Sequence, residues 1–186
     1  MLISLGSLCK EFQAALALFN FAQEADSCAA IPGMPTGMYF LILTAHAAAS
    51  VIYRFNETLG AASINLNKSP SVLNKIDMQA KRDATRLFKK HFPDFAGARH
   101  SGQHEAKLFG THDNAMKHAD QKGVIAYNNI AGNQLVTAYE RKQIILEISE
   151  ESLRKLCEVR DAYWAVFAPL DPYYAPRDQG PEQNRP

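Results

Sequence analysis

The chain lacks the features by which many protein classes are recognised. Its formal net charge is only +1 over 186 residues, so bulk charge predicts no polyanion partner, and any nucleic-acid binding must come from a local patch. Its three cysteines, Cys9, Cys28 and Cys157, are scattered along the sequence. Their spacing argues against a disulfide framework or a zinc knuckle and favours reduced thiols in a cytoplasmic protein.

Other signatures are also missing. The sequence has no phosphate-binding loop, no dinucleotide glycine fingerprint and no Gly-x-Ser-x-Gly elbow, and nothing in it calls for a cofactor. The first residues carry no basic region typical of a secretory signal. The uncharged run Thr36–Tyr53 is just long enough for a marginal membrane span. Its polar side chains and alanines instead favour a fully buried core helix, so we expect a soluble protein with no membrane partner.

The spacing of apolar residues predicts a mainly α fold, a bundle of four to five helices with a small three-stranded antiparallel meander before the last helix. We expect a single domain over residues 1–168, with the meander at about 123–148, followed by a disordered proline-rich tail at 169–186. The first three predicted helices span about 7–26, 36–59 and 74–92. A fourth begins at Asp94 and fades near 110–120, and a last helix follows Ser149. The predicted strands span Val124–Ile130, Gln134–Glu140 and Gln143–Ile148.

The most informative segment is residues 99–104, which read RHSGQH. Arg99 is permanently cationic and suits a phosphate, and histidine transfers protons near neutral pH. On a helix, His100 and His104 lie about 40° apart on a common face. Arg99 and His104 lie about 140° apart, so a folded-back arginine or a second subunit would have to complete a joint site. The plainer alternative is that Arg99 pairs with an acid and both histidines lie at a half-exposed surface.

This segment resembles the HEPN superfamily of small helical domains, in which many ribonucleases carry the pattern R-x(4–6)-H with a polar residue after the arginine. Arg99, His100 and His104 match those three positions. The resemblance implies metal-independent RNA cleavage in a homodimer that brings two Arg–His sets into one cleft. A role as a toxin or defence effector, with an antitoxin or other partner protein, would follow by analogy with the family. The meander and the helix beyond it depart from the family pattern and leave the subfamily open.

The resemblance also implies a role for each matched residue. His104 would act as the acid or base when a 2′-hydroxyl attacks the adjacent phosphorus, and a 2′,3′-cyclic phosphate would form. Arg99 would stabilise charge in the transition state. His100 would position a phosphate or orient Arg99.

A second basic segment precedes the first. Arg82, Arg86, Lys89 and Lys90 share one face of the predicted third helix and could follow an RNA backbone. The alternative is an ordinary solvated helix face.

Two further alternatives remain open. His100 and His104 also have the i, i+4 spacing of zinc ligands. A third ligand would have to come from His112 or His118, in a stretch of weak helical pattern, so we expect no metal site.

The second functional hypothesis is a non-catalytic helical domain that dimerises or binds a partner protein. Cleavage of RNA in the presence of a chelator would separate it from the ribonuclease.

Overall fold

The computed structural model describes residues 2–25, 36–103, 111–119 and 129–170. These residues form a mostly helical fold with a three-stranded antiparallel sheet before the last α-helix, which confirms the predicted fold class. The described part holds seven helices, so the predicted four to five was wrong. They are α1 (Leu2–Ala25), α2 (Thr36–Asn67), α3 (Pro70–Leu73), α4 (Met78–His91), α5 (Phe95–Gln103), α6 (His112–His118) and α7 (Glu150–Ala165), and a 3₁₀ turn (Ala168–Leu170) follows.

Helices α1 and α2 form the largest helix pair and contribute much of the core. The apolar positions spaced three and four apart along α1, which we call the α1 stripe, are all buried, and Phe12 and Phe19 are fully inaccessible; the stripe comprises Leu8, Phe12, Ala15, Leu16, Phe19 and Ala22. At the surface of the pair, Glu11 of α1 forms an ion pair with Arg54 of α2. The 3.6-residue period of the apolar positions therefore located this face correctly.

Helix α2 is longer than predicted. We expected it to end near Leu59 and a polar connection to follow from Gly60, but the helix runs to Asn67. Ala62 and Leu66 continue its buried face. Burial of these side chains outweighs the helix penalty of one glycine, which is about 1 kcal/mol.

The predicted third helix begins later than expected. Instead of starting near residue 74, α4 begins at Met78, and a separate single turn, Pro70–Leu73, precedes it. The reason is Asp77, whose carboxylate accepts hydrogen bonds from the backbone N–H groups of Gln79 (2.8 Å) and Ala80 (2.9 Å). This N-cap satisfies donors that a continuous helix would have paired with carbonyl groups.

The sheet has the order β1–β2–β3, with strands Asn129–Ala131, Gln134–Tyr139 and Lys142–Glu147. Most of the predicted first strand, Val124–Ile130, lies outside the described residues. The β2–β3 turn places Glu140 (φ 48°) and Arg141 (φ 64°) in the left-handed region. Two such residues make the turn type that matches strand twist, at a conformational cost for side chains other than glycine or asparagine.

Helix α7 begins where predicted. The Ser149 hydroxyl accepts a hydrogen bond from the backbone N–H of Ser152 at 3.3 Å. Leu156, Val159 and Tyr163 are buried on its inner face. Residues 171–186, nearly all of the predicted tail, lie outside the described part of the chain.

The apolar run in α2 is not buried on all sides, contrary to expectation. Helix α2 is long and apolar enough to cross a membrane by length and composition, but only 44% of its most apolar 18-residue window is buried. Tyr39, Phe40 and Leu43 are each more than half exposed. A run that is apolar on every face does not reveal which of its faces the neighbouring elements cover. Among the described residues, this end of α2 is covered on one side.

Candidate functional site

The candidate site is centred on α5, which packs against α2 and against strands β2 and β3. Gly97 lies at the closest approach to the sheet: a Cβ atom built there would be 3.0 Å from Ile144 Cδ1 and 3.6 Å from Tyr139 Cβ. The absence of a side chain at Gly97 therefore lets α5 lie against the sheet, and this places Arg99 and His100 next to Tyr139.

Arg99 is half-buried and rests on an aromatic ring. Its Cζ atom lies 4.1 Å from the ring centroid of Tyr53, which α2 contributes. Such a cation–π contact is worth about 1 kcal/mol and fixes the guanidinium plane. Within the described residues, no carboxylate lies within ion-pair distance of Arg99. The plainer alternative, in which an acid neutralises Arg99, is therefore not seen in this part of the chain.

His100 lies between two tyrosines. Its imidazole meets the Tyr53 ring edge-on at 5.9 Å between centroids and stacks on Tyr139 at 5.7 Å with an interplanar angle of 21°. Tyr139 is the last residue of β2. Burial and the adjacent Glu140 carboxylate raise the pKa of the Tyr139 phenol, so this residue is a neutral hydrogen-bond donor at physiological pH.

A third side chain that can carry positive charge, His118, lies beside Tyr139, although it belongs to a different segment of the chain. His118, the last residue of α6, stacks on Tyr139 at 5.6 Å with an interplanar angle of 23°. Its Nδ1 atom accepts a hydrogen bond from the backbone N–H of Glu140 at 3.2 Å. The neutral ring therefore carries its proton on Nε2. The expectation that this stretch has only weak structure was wrong, because Thr111 accepts a hydrogen bond from the Asn114 N–H and caps a helix there.

We define the ring cluster as Tyr53, Arg99, His100, His118 and Tyr139. It brings together one guanidinium, two imidazoles and two phenols from α2, α5, α6 and β2. These groups can transfer protons and stabilise negative charge on a phosphate. Sequence reasoning identified only the two neighbours on α5, because no local pattern relates Tyr53, His118 and Tyr139 to them.

The remaining predicted site residues are placed differently. His104 lies outside the described residues. All four cations of the predicted α4 face are exposed, and Arg86 pairs with Asp83 on its own helix at 3.1 Å. Lys89 and Lys90 lie in the last turn of α4, where positive charge is favoured by the helix dipole. No described contact joins these four side chains to the ring cluster.

Two other features bear on the site. In the described part of the chain, no three histidine, cysteine or acidic side chains are grouped as metal ligands would be. A cleft of about 520 Å³ lies between α1 and α2 around Glu11, Arg54 and Glu57. That cleft is wide and shallow, and its lining includes no member of the ring cluster.

Comparison of the chain with protein-family models, with curated proteins and with solved structures found no match.

Proposed function

We propose that this protein is a metal-independent endoribonuclease of the HEPN type that acts as a homodimer. The observation that supports this most is the ring cluster, in which Arg99 is held on Tyr53 beside His100 with no carboxylate partner among the described residues. A cation fixed in this way contributes most to catalysis where charge develops, as on a pentacoordinate phosphorus.

The proposed reaction divides the work among these side chains. His104 acts as the acid or base on the ribose 2′-hydroxyl, whose oxygen attacks the adjacent phosphorus while the 5′-oxygen leaves with a proton. Arg99 stabilises the phosphorane-like charge, and His100 positions the phosphate. The products are a 2′,3′-cyclic phosphate and a free 5′-hydroxyl.

The ring cluster changes one expectation about the neighbouring histidines. From the sequence alone, neither His112 nor His118 is expected to matter much for cleavage. His118 contacts the same tyrosine as His100, so its loss should loosen the placement of His100. His112, on the same helix, is exposed and provides a matched control.

The test is cleavage of a labelled single-stranded RNA by the purified full chain in EDTA. We expect Arg99→Ala and His104→Ala each to lower the rate by about 10²–10⁴-fold, the usual contribution of such groups. His118→Ala should have a smaller effect, and His112→Ala none. Circular dichroism of each variant shows that the fold is retained, and end-group analysis identifies the cyclic phosphate. Equal rates for wild type and both folded variants would contradict the proposal.

The second candidate function, a non-catalytic dimerisation domain, is favoured by a different observation. The C-terminal half of α1 and the N-terminal half of α2 expose large apolar side chains, which we call the apolar face; these are Leu18, Phe21, Met38, Tyr39, Phe40 and Leu43. Apolar surface of this kind is typical of self-association. A dimer is compatible with both functions, and only the cleavage assay distinguishes them.

The apolar face can be tested directly by sedimentation of the full chain. Phe40→Glu and Leu43→Glu should each shift a dimer toward monomer, because a carboxylate would be desolvated at the interface. Ile145→Glu is the control, since Ile145 is also exposed but lies on β3. A dimer that survives both Phe40→Glu and Leu43→Glu would exclude this face.

A further inference from the structure

Two of the three cysteines, far apart in the sequence, meet in the fold. Cys9 lies on α1 and Cys157 on α7, at the interface where these helices pack. Cys157 packs against the buried core cluster that contains Cys9, and its thiol contributes to the raised pKa of Cys9. The third cysteine, Cys28, lies outside the described residues. The scattered spacing gave no sign of this pair, because the contact joins the first helix to the last one.

The two thiols differ in access to solvent. Cys9 is 3% exposed, whereas Cys157 is partly exposed. Burial, with a further contribution from Cys157, raises the pKa of Cys9 to about 12, so Cys9 stays a protonated thiol at neutral pH. Cys157 is therefore the thiol of the two that a small oxidant can reach from solvent.

We propose that Cys9 and Cys157 are a redox modification site, at which a peroxide converts the two thiols into a reversible disulfide between α1 and α7. The Cys157 thiol loses its proton, and its sulfur attacks one peroxide oxygen. The O–O bond breaks, a sulfenic acid forms, and the second oxygen takes up that proton and leaves as water. The Cys9 sulfur then attacks the Cys157 sulfur. The S–O bond breaks, and the Cys9 proton leaves with the hydroxyl group as a second water. One peroxide is reduced and two thiols are oxidised.

The disulfide would link the two ends of the described fold. It closes almost the whole chain into one loop, which lowers the entropy of the unfolded chain. A small-molecule thiol reverses it by exchange. The proposed site is separate from the ring cluster and does not depend on the proposed ribonuclease activity.

The test uses the full chain, reduced and then treated with hydrogen peroxide. We expect an intact mass lower by two hydrogen atoms, and a peptide map in which Cys9 is joined to Cys157. The thermal midpoint should rise by about 10 °C, as expected for a cross-link over a long loop in a domain of this size, and dithiothreitol should reverse the rise.

Variants separate this pair from other thiol chemistry. Cys28→Ala should keep both the cross-link and the rise in thermal midpoint. Cys157→Ala, checked for folding by circular dichroism, should lose both. The peptide map of the wild-type protein tests the link between Cys9 and Cys157 without any variant. A map showing Cys157 oxidised to sulfinic or sulfonic acid with no link to Cys9, or a disulfide through Cys28, would overturn the proposal.

Discussion

The two basic segments of this chain, on α4 and α5, differ in what surrounds their charges. On α4 the four predicted phosphate-contacting cations, Arg82, Arg86, Lys89 and Lys90, project into solvent. The described ion pair among these four, Arg86 with Asp83, joins neighbours on the same helix. On α5 the guanidinium of Arg99 and the imidazole of His100 contact rings from α2 and from the sheet. Only groups held from several directions keep the fixed geometry that electrostatic catalysis requires. Mobile surface cations instead suit diffuse attraction of a phosphate backbone.

The strongest test of this difference is to make the same substitution in both segments. Arg99→Lys keeps the charge but loses the planar group that rests on Tyr53. We expect about 100-fold slower RNA cleavage, comparable to the loss of one fixed donor to a developing anion. Arg86→Lys should leave the rate unchanged. Equal effects of the two substitutions in single-turnover assays would mean that the fixed geometry on α5 has no catalytic value.

The next largest effect concerns α4. Replacing Arg82, Arg86, Lys89 and Lys90 together by glutamine should weaken RNA binding and flatten its dependence on salt. The slope of log affinity against log salt should fall by up to about 3 for four phosphate contacts on a single strand. The cleavage rate at saturating RNA should not change. If affinity and slope both stay at the wild-type values in titrations across salt, α4 is only a solvated face.

A pair of glycines tests how α5 is positioned. Gly97→Ala places a methyl group against Ile144, while at Gly60 nothing lies within 4 Å of an added Cβ. Both glycines lie in helices, so the gain in helix propensity from alanine is similar in the two variants and cancels when their stabilities are compared. We expect Gly97→Ala to be about 1–3 kcal/mol less stable than Gly60→Ala in urea unfolding, the usual cost of overpacking. No difference would show that α5 can move away from the sheet without loss.

The smallest expected effect is at the β2–β3 turn. Glu140→Asn combined with Arg141→Gly places residues suited to positive φ where the backbone already has it. The double variant should be stabilised by about 1 kcal/mol. It keeps the backbone N–H that binds His118, so cleavage should be unaffected. A loss of stability in thermal or urea unfolding would mean that the replaced side chains make contacts that matter more than the strain.

Some elements could be located from the sequence and others could not, for physical reasons. The α1 stripe, the β2–β3 hairpin and the Ser149 cap depend on residues close in sequence, and they were found. The end of α2 was missed because burial of Ala62 and Leu66 outweighs the local signal of Gly60. The start of the third predicted helix was misplaced because the Asp77 side chain caps the helix at Met78.

The sequence by itself determined the mainly helical class, the place of the small sheet, and the presence of Arg99 next to His100 on one helix. These follow from periodicity, capping and turn chemistry, which act over a few residues. Only the tertiary structure decided that Tyr53, Tyr139 and His118 surround that pair, that Cys9 meets Cys157, and that one face of α2 stays exposed. Such contacts depend on which faces of distant elements pack together, and no local pattern specifies that choice.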